Sequence, residues 1–166
     1  MDVNVRQASL EDLDDVVRIE KICFPRSEAA TRESFEGRLK AFPESFFVAE
    51  LDGKMLGFIN GSVIEGEIIR DEFYSDISFH NPAGDYQSVF GLDVLPEYRG
   101  KGIAATLMQG MIEAARKAGR KGVTLCCKEK KISYYEKFGF VAIGKSDSQH
   151  GNAVWYDMVL PLINND

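Results

Sequence analysis

Residues 86–127 constrain this chain more than any other stretch. YQSVFGLDV (86–94) carries apolar residues at both alternations and reads as a central strand. A glycine-containing turn follows. Ile103, Leu107, Met108, Met111, Ile112 and Ala115 then recur at helical spacing. Arg116 and Lys117 stand where a helix dipole favours cations, and Gly119 is a natural stop. GVTLCC (122–127) is a second strand. A strand–helix–strand unit of this length implies two parallel strands joined by a right-handed crossover. The chain is therefore α/β or α+β.

The flanking sequence fits that frame. Val3 and Val5 alternate as a short strand, and Ser9 with Asp12 resembles a capping box. Leu13, Val16, Val17 and Phe24 form a helical stripe ending near Pro25. Thr31 caps a second helix, with Phe35, Leu39 and Phe42 on one face and Pro43 closing it. Between the apolar runs of 46–64, Asp52-Gly53 signals a hairpin with a primed turn. ISYYEKFG (132–139) reads as a short helix, and FVAIGK and AVWYDMVL as two final strands joined through SDSQHGN. A length of 166 residues suits one domain, 1–166, with its core in 3–160.

Charge gives the turn its interest. The net charge is −6, which argues against nucleic-acid binding, yet PEYRGKGIA (96–104) concentrates Arg99 and Lys101 just before the helix. The first N–H groups of a helix have no internal partner and carry partial positive charge, so this is a ready anion site. Gly100 and Gly102 let the backbone approach a phosphate closely. A solvated basic turn is the blander reading, but strand, glycines, charge and helix start coincide here. A Walker loop is excluded because Gly102, not Ser or Thr, follows Lys101. Gly100, Gly102 and Ala105 satisfy G-x-G-x-x-A, but LPEY separates them from the strand and no acidic residue ends the next one.

Three cysteines, Cys23, Cys126 and Cys127, lack the spacing of a disulfide framework and read as buried thiols. The start lacks a basic-then-apolar signal and no apolar run spans a bilayer. A cytoplasmic protein with no membrane partner is the expectation. His80 and His150 are far apart in different loops, so no metal is expected.

R-x-x-G-x-A, here Arg99, Gly102 and Ala104, set in LDVLPEYRGKGIAATLM, resembles the acyl-CoA loop of the GNAT N-acetyltransferase superfamily. YYEKFGF (134–140) resembles that family's second landmark. FPESFFVAELDGKMLGFINGS and HNPAG are similar to the arylalkylamine (serotonin-type) branch. The resemblance covers residues 3–160. It implies a mixed sheet of about seven strands, about four flanking helices and two parallel central strands that splay apart. It implies acetyl-CoA as co-substrate, with the backbone of Leu92 and Val94 on its acetyl and pantetheine parts. The pyrophosphate would sit on Arg99, Gly100, Lys101, Gly102, Ile103 and Ala104. Tyr135 matches the general acid for the leaving thiolate; its ordinary pKa near 10 keeps the proton available.

The base is where the pattern departs. The arylalkylamine enzymes carry two histidines on the central strand, and Ser88 and Phe90 stand at those positions. Ser88 could hold a water in a proton relay; Asp85, Asp93, His80 and Glu129 are other candidates. Asp93 is weakened because strand alternation points it to the face opposite Phe90 and Leu92. Phe24, Phe42, Phe46, Phe73, Tyr74 and Phe79 could line an aromatic pocket, and the acidic residues of 65–76 could attract a cation. Each is equally well explained as core or solvated loop. The expected acceptor is a small primary amine, arylalkylamine- or polyamine-like. A protein or peptide amine, a non-catalytic acyl-CoA sensor and, last, a nucleotide-dependent oxidoreductase are the alternatives. A homodimer is left open.

Overall fold

The structure, a computed structural model, describes residues 2–162. Its strands are β1 (Asn4–Gln7), β2 (Phe46–Leu51), β3 (Lys54–Asn60), β4 (Val63–Ile64), β5 (Tyr86–Val89), β6 (Gly91–Val94), β7 (Gly122–Cys127), β8 (Val141–Lys145) and β9 (Tyr156–Pro161). The helices are α1 (Leu13–Cys23), α2 (Arg32–Ala41), α3 (Ile103–Lys117) and α4 (Ile132–Glu136). Two ladders run β1-β2-β3-β6 and β4-β5-β7-β9-β8. They join where β3 runs into β4 and β5 into β6, through Ser88 N–H to Ser62 O (2.9 Å) and Phe90 N–H to Asn60 O (2.7 Å). The expected α/β arrangement of about seven strands and four helices is what forms.

Local chemistry explains the frame. Asp52 and Gly53 both take positive φ, 51° and 80°, as the hairpin between β2 and β3 requires. Ser9 N–H donates to Asp12 Oδ2 at 2.8 Å, and Arg6 clamps the same carboxylate, tying β1 to the start of α1. Thr31 Oγ1 accepts from Ser34 N–H at 3.1 Å and caps α2. The amphipathic stripes then divide the core. Leu107, Met108 and Met111 of α3 are fully buried against one sheet face. Val16 and Ile19 of α1 and Phe35 of α2 pack with Phe46 and Phe58 on the other. Each such side chain contributes about 1.5–3 kcal/mol of apolar burial.

Two expectations change. The helix expected over 132–139 is α-helical only to Glu136. Phe138 and Gly139 donate three residues back, tightening the last turn, and Gly139 has φ of 104°. The strand expected over 86–94 is broken at Phe90. Its first half pairs with β7 in parallel, up to Val89 opposite Leu125; its second half pairs only with β3. The last residues of β7, Cys126 and Cys127, pair only with β9. β6 and the end of β7 therefore diverge. Buried Gln87 supports the break: its amide Nε2 donates to Gly61 O (3.0 Å) and Ser88 O (2.8 Å), and Ser45 Oγ donates to its Oε1 (2.9 Å). Carbonyls that leave a ladder need such donors when buried.

Candidate active site

The gap between β6 and β7 opens into a cavity of about 900 Å³. Leu95 N–H donates to Leu56 O of β3, so alternation turns the backbone of Val94 and Leu92 away from β3, toward the gap. Val94 O is already engaged, accepting from Arg99 Nε (3.0 Å) and from Cys23 Sγ (3.4 Å). Both residues line the cavity.

The turn before α3 forms one end. Gly100 and Gly102 have φ of 77° and 84°, a region that disfavours any residue with a Cβ. A Cβ at either would meet no atom within 4 Å, so the space beside both is open. Arg99, Gly100, Gly102, Ile103 and Ala104 line the cavity there. Lys101 is not on this wall; its ammonium lies 5.6 Å from the Tyr98 ring centre. An open glycine cradle at a helix N-terminus with adjacent cations fits the diphosphate of a coenzyme A.

Tyr135 lines the opposite side. Its ring sits edge-on to Tyr134 and Phe140. Burial pushes its phenol above the ordinary range, with Cys127, Tyr134 and Asp93 adding smaller effects. It is a protonated O–H at neutral pH.

The acceptor side is built from three segments. Phe24 and Glu28 come from the α1–α2 connection, Tyr74 from a 3-10 turn over Asp71–Tyr74, and His150 and Trp155 from the β8–β9 connection. Phe90 completes an aromatic wall, with ring centres 4.8 Å from Tyr74, while His150 stacks on Tyr74 at 5.6 Å. Hydrogen bonds tie the segments together. Lys128 Nζ donates to Glu28 Oε2 (3.0 Å), His150 Nε2 lies 2.9 Å from Glu28 O, and Gln149 N–H donates to Asp71 Oδ2 (3.0 Å).

Most of the expected pocket residues lie elsewhere. Phe42 and Phe46 are wholly buried in the core. Phe73 and Phe79 line a separate cleft near His80. Ser88 is fully buried and off the cavity wall, its hydroxyl donating to Ser62 O at 2.7 Å. Asp85 pairs with Lys121 on the surface, and Glu129 is exposed. His80 Nδ1 accepts from Val63 N–H, and burial lowers its pKa.

Asp93 lies opposite Leu92 as expected, but not opposite Phe90. The break at Phe90 adds a residue to the strand and resets the alternation. Arg38 lies 4.8 Å over the Phe90 ring and also acts on Asp93, so both face the α1–α2 side.

Glu20, Arg38, Asn60 and Trp155 also line the wall, beyond the residues the sequence singles out. A signal existed for two of them. Glu20 falls on the stripe of Val16 and Val17, and Arg38 beside Phe35 and Leu39; each is a charge on the buried face of its helix.

Known proteins are similar to this chain in sequence and in fold. Residues 13–140 match the family model described as the acetyltransferase (GNAT) family. An uncharacterized N-acetyltransferase of Archaeoglobus fulgidus is 32% identical over 126 residues, covering 72% of this chain and 78% of that protein. An N-alpha-acetyltransferase of Sulfurisphaera tokodaii is 28% identical over 140 residues, 82% of this chain and 78% of its own length. Serotonin N-acetyltransferase of Mesocricetus auratus is 30% identical over 113 residues, with 67% and 54% covered. A Bacillus subtilis protein named probable hydrolase YhcX is 29% identical over 132 residues, but the chain spans only 25% of its length. In three dimensions, the loading GNATL domain of CurA from Lyngbya majuscula superposes with a TM-score of 0.85 at 15% identity, over 97% of this chain and 98% of that one.

Proposed function

The chain belongs to the GNAT acetyltransferase family, and from that premise we propose that its acceptor is a small primary amine with an apolar or aromatic body. As a family member it is an acetyl-CoA-dependent N-acetyltransferase. Acetyl-CoA supplies a thioester carbonyl open to attack by a neutral amine.

The chain's own groups then divide the work. Backbone N–H groups at Gly102 to Ala104 and the Arg99 guanidinium hold negative charge at the α3 end. The outward backbone of Leu92 and Val94 orients the bound chain between β6 and β7 as an added strand would. Tyr135 O–H gives its proton to the departing sulfur, and burial keeps the phenol protonated at neutral pH so that the proton is available.

The observation that carries the acceptor reading is the tied aromatic wall. Glu28, Asp71, His150 and Gln149 link three segments along the acceptor side, which favours an enclosed pocket over a groove for an extended peptide. Phe90, Tyr74 and Trp155 supply apolar faces there. The serotonin-type likeness points the same way. A second reading, acetylation of a protein α-amino group, is favoured by the N-alpha-acetyltransferase of Sulfurisphaera tokodaii, which matches over 78% of its length.

Thiol release from acetyl-CoA separates these. The panel pairs 2-phenylethylamine, tryptamine and spermidine with tetrapeptides bearing free N-termini. The proposal expects an arylalkylamine to give kcat/KM at least tenfold above any peptide. A peptide preferred by that margin overturns it. Tight acetyl-CoA binding with no thiol release from any member leaves the sensor alternative.

A further inference from the structure

Asp93 lies within β6 with 1% of its surface exposed, and no donor among the described residues reaches either carboxylate oxygen. Buried carboxylates are almost always paired with donors or cations. After burial itself, the strongest influence on Asp93 comes from another carboxyl, that of Glu20 on α1. Two carboxyls can share a hydrogen bond only when one carries a proton. Glu20 is 6% exposed and lines the cavity, with one oxygen, Oε2, accepting from Ala30 N–H at 2.8 Å.

The surroundings are also unpartnered. Arg38 spends its Nη groups on Asn60 Oδ1 (2.9 Å) and Tyr74 O (2.8 Å), leaving Nε free, and Asn60 Nδ2 is free as well. Gly91 stands between this cluster and the cavity: a Cβ there would lie 3.4 Å from Asp93 Oδ1 and 3.6 Å from Asn60 Nδ2. Gly91 therefore packs directly over Asp93, and Glu20 is the member of the pair that meets the cavity.

We infer that the Glu20–Asp93 carboxyl pair, set by Arg38 and Asn60, accepts the proton of the incoming ammonium. The inference rests on the N-acetyltransferase reading. In this step one N–H bond of the ammonium breaks and its electron pair stays on nitrogen. An O–H bond forms on the pair, which passes from one shared proton to two. The groups acting on Asp93 are Glu20 and Cys23 from α1 and Arg38 from α2, and Asp93 in turn acts on Tyr135 of α4. Burial and the Glu20 charge raise Asp93 well above the ordinary carboxylate range, and Arg38 opposes them only in part. A carboxyl whose pKa is raised toward that of the amine is a better-matched proton acceptor than a solvated one. The proton acceptor faces the cavity from the α1–α2 side and the proton donor, Tyr135, from α4.

The test measures thiol release against pH with 2-phenylethylamine and a free-N-terminus tetrapeptide as probes. Glu20→Gln and Asp93→Asn should each lower kcat about 100-fold and flatten the rise of kcat/KM with pH. Acetyl-CoA affinity, by calorimetry, should stay within about threefold of wild type, the scale of a change that leaves the coenzyme site intact. A folded variant that keeps wild-type kcat and the same pH limb overturns the inference. If Asp93→Asn does not fold, infrared titration of the wild type decides instead. A protonated-carboxyl band persisting at neutral pH and lost in Glu20→Gln supports the shared proton; its absence overturns it. Wild-type protein that releases no thiol with either probe fails the acetyltransferase reading, whereas an active wild type with unaffected variants fails only this inference.

Discussion

Tyr135 and Ser88 show how differently two equally polar residues can be used. Tyr135 stands at the edge of a cavity, and its buried phenol keeps its proton. Ser88 is closed inside the sheet, with its hydroxyl committed to Ser62 O. Replacing Tyr135 with Phe removes one O–H and little else. It should lower kcat about 10²-fold, within the usual range for a general acid, and leave acetyl-CoA affinity nearly unchanged. Stopped-flow thiol release with calorimetry checks both halves. Equal kcat in the two proteins would remove Tyr135 from the chemistry. Asp93 is a residue whose role depends on its neighbours: the same carboxylate on an exposed strand would be an ordinary solvated charge, and here both oxygens lack a donor.

Among the elements, α3 and the broken β5–β6 strand do most to create the site. The N-terminus of α3 is aimed at the gap by two glycines in left-handed conformation. Gly102→Val asks a β-branched residue to hold φ of 84°, costing about 1–2 kcal/mol of backbone strain, and puts a side chain into the cradle. Acetyl-CoA binding should weaken by more than tenfold, with a smaller loss of thermal stability. Calorimetry and a melting curve, read together, separate a filled cradle from a misfolded turn. The break at Phe90 does a second job. It frees the backbone of Leu92 and Val94 from β7, and it brings Asp93 to the same side as Phe90. Gly57 and Gly61 make room for the neighbouring strands at this point, since a Cβ at either would lie 2.3 Å and 1.9 Å from the carbonyl oxygens of Asp93 and Ser88.

At the scale of the whole molecule, the acceptor wall is assembled from segments more than a hundred residues apart in sequence. Lys128 reaches Glu28, and His150 reaches the Glu28 carbonyl. Trp155, stacked near Lys128 and donating its Nε1–H to His150 O, anchors this wall. Trp155→Ala should raise KM for the acceptor about tenfold while leaving acetyl-CoA affinity in place, consistent with loss of one large aromatic contact. A matching loss of acetyl-CoA binding would mean that the whole cavity had collapsed. Far from the site, Arg6 and Asp12 join β1 to α1. The Arg6 hydrogen bond is the main cause holding Asp12 below its ordinary 3.8. A carboxylate lowered by folding stabilises above its unfolded pKa, and that contribution disappears as pH falls through the folded value. Asp12→Asn should therefore cost about 1–2 kcal/mol at pH 7, and the mutant should lose less further stability than wild type on acidification below about pH 4. Denaturant melts across pH measure this difference.

Periodicity and turn chemistry act within a few residues, so the sequence by itself determined the helices, the Asp52-Gly53 hairpin, the parallel crossover and the glycine cradle before α3. The landmark around Tyr135 was legible for the same reason. The acceptor wall was not. Phe24 and Tyr74 reach it while Phe42 and Phe46 enter the core, and no local pattern distinguishes these phenylalanines. Alternation places Asp93 correctly against Leu92 but not against Phe90, because it presumes an unbroken strand, and the break at Phe90 depends on which neighbours compete for its hydrogen bonds. The sheet's divergence, the packing of Gly91 over Asp93 and the approach of Glu20 to Asp93 were decided only by tertiary structure. Each needs groups from separate elements to meet, and burial then sets what their charges can do.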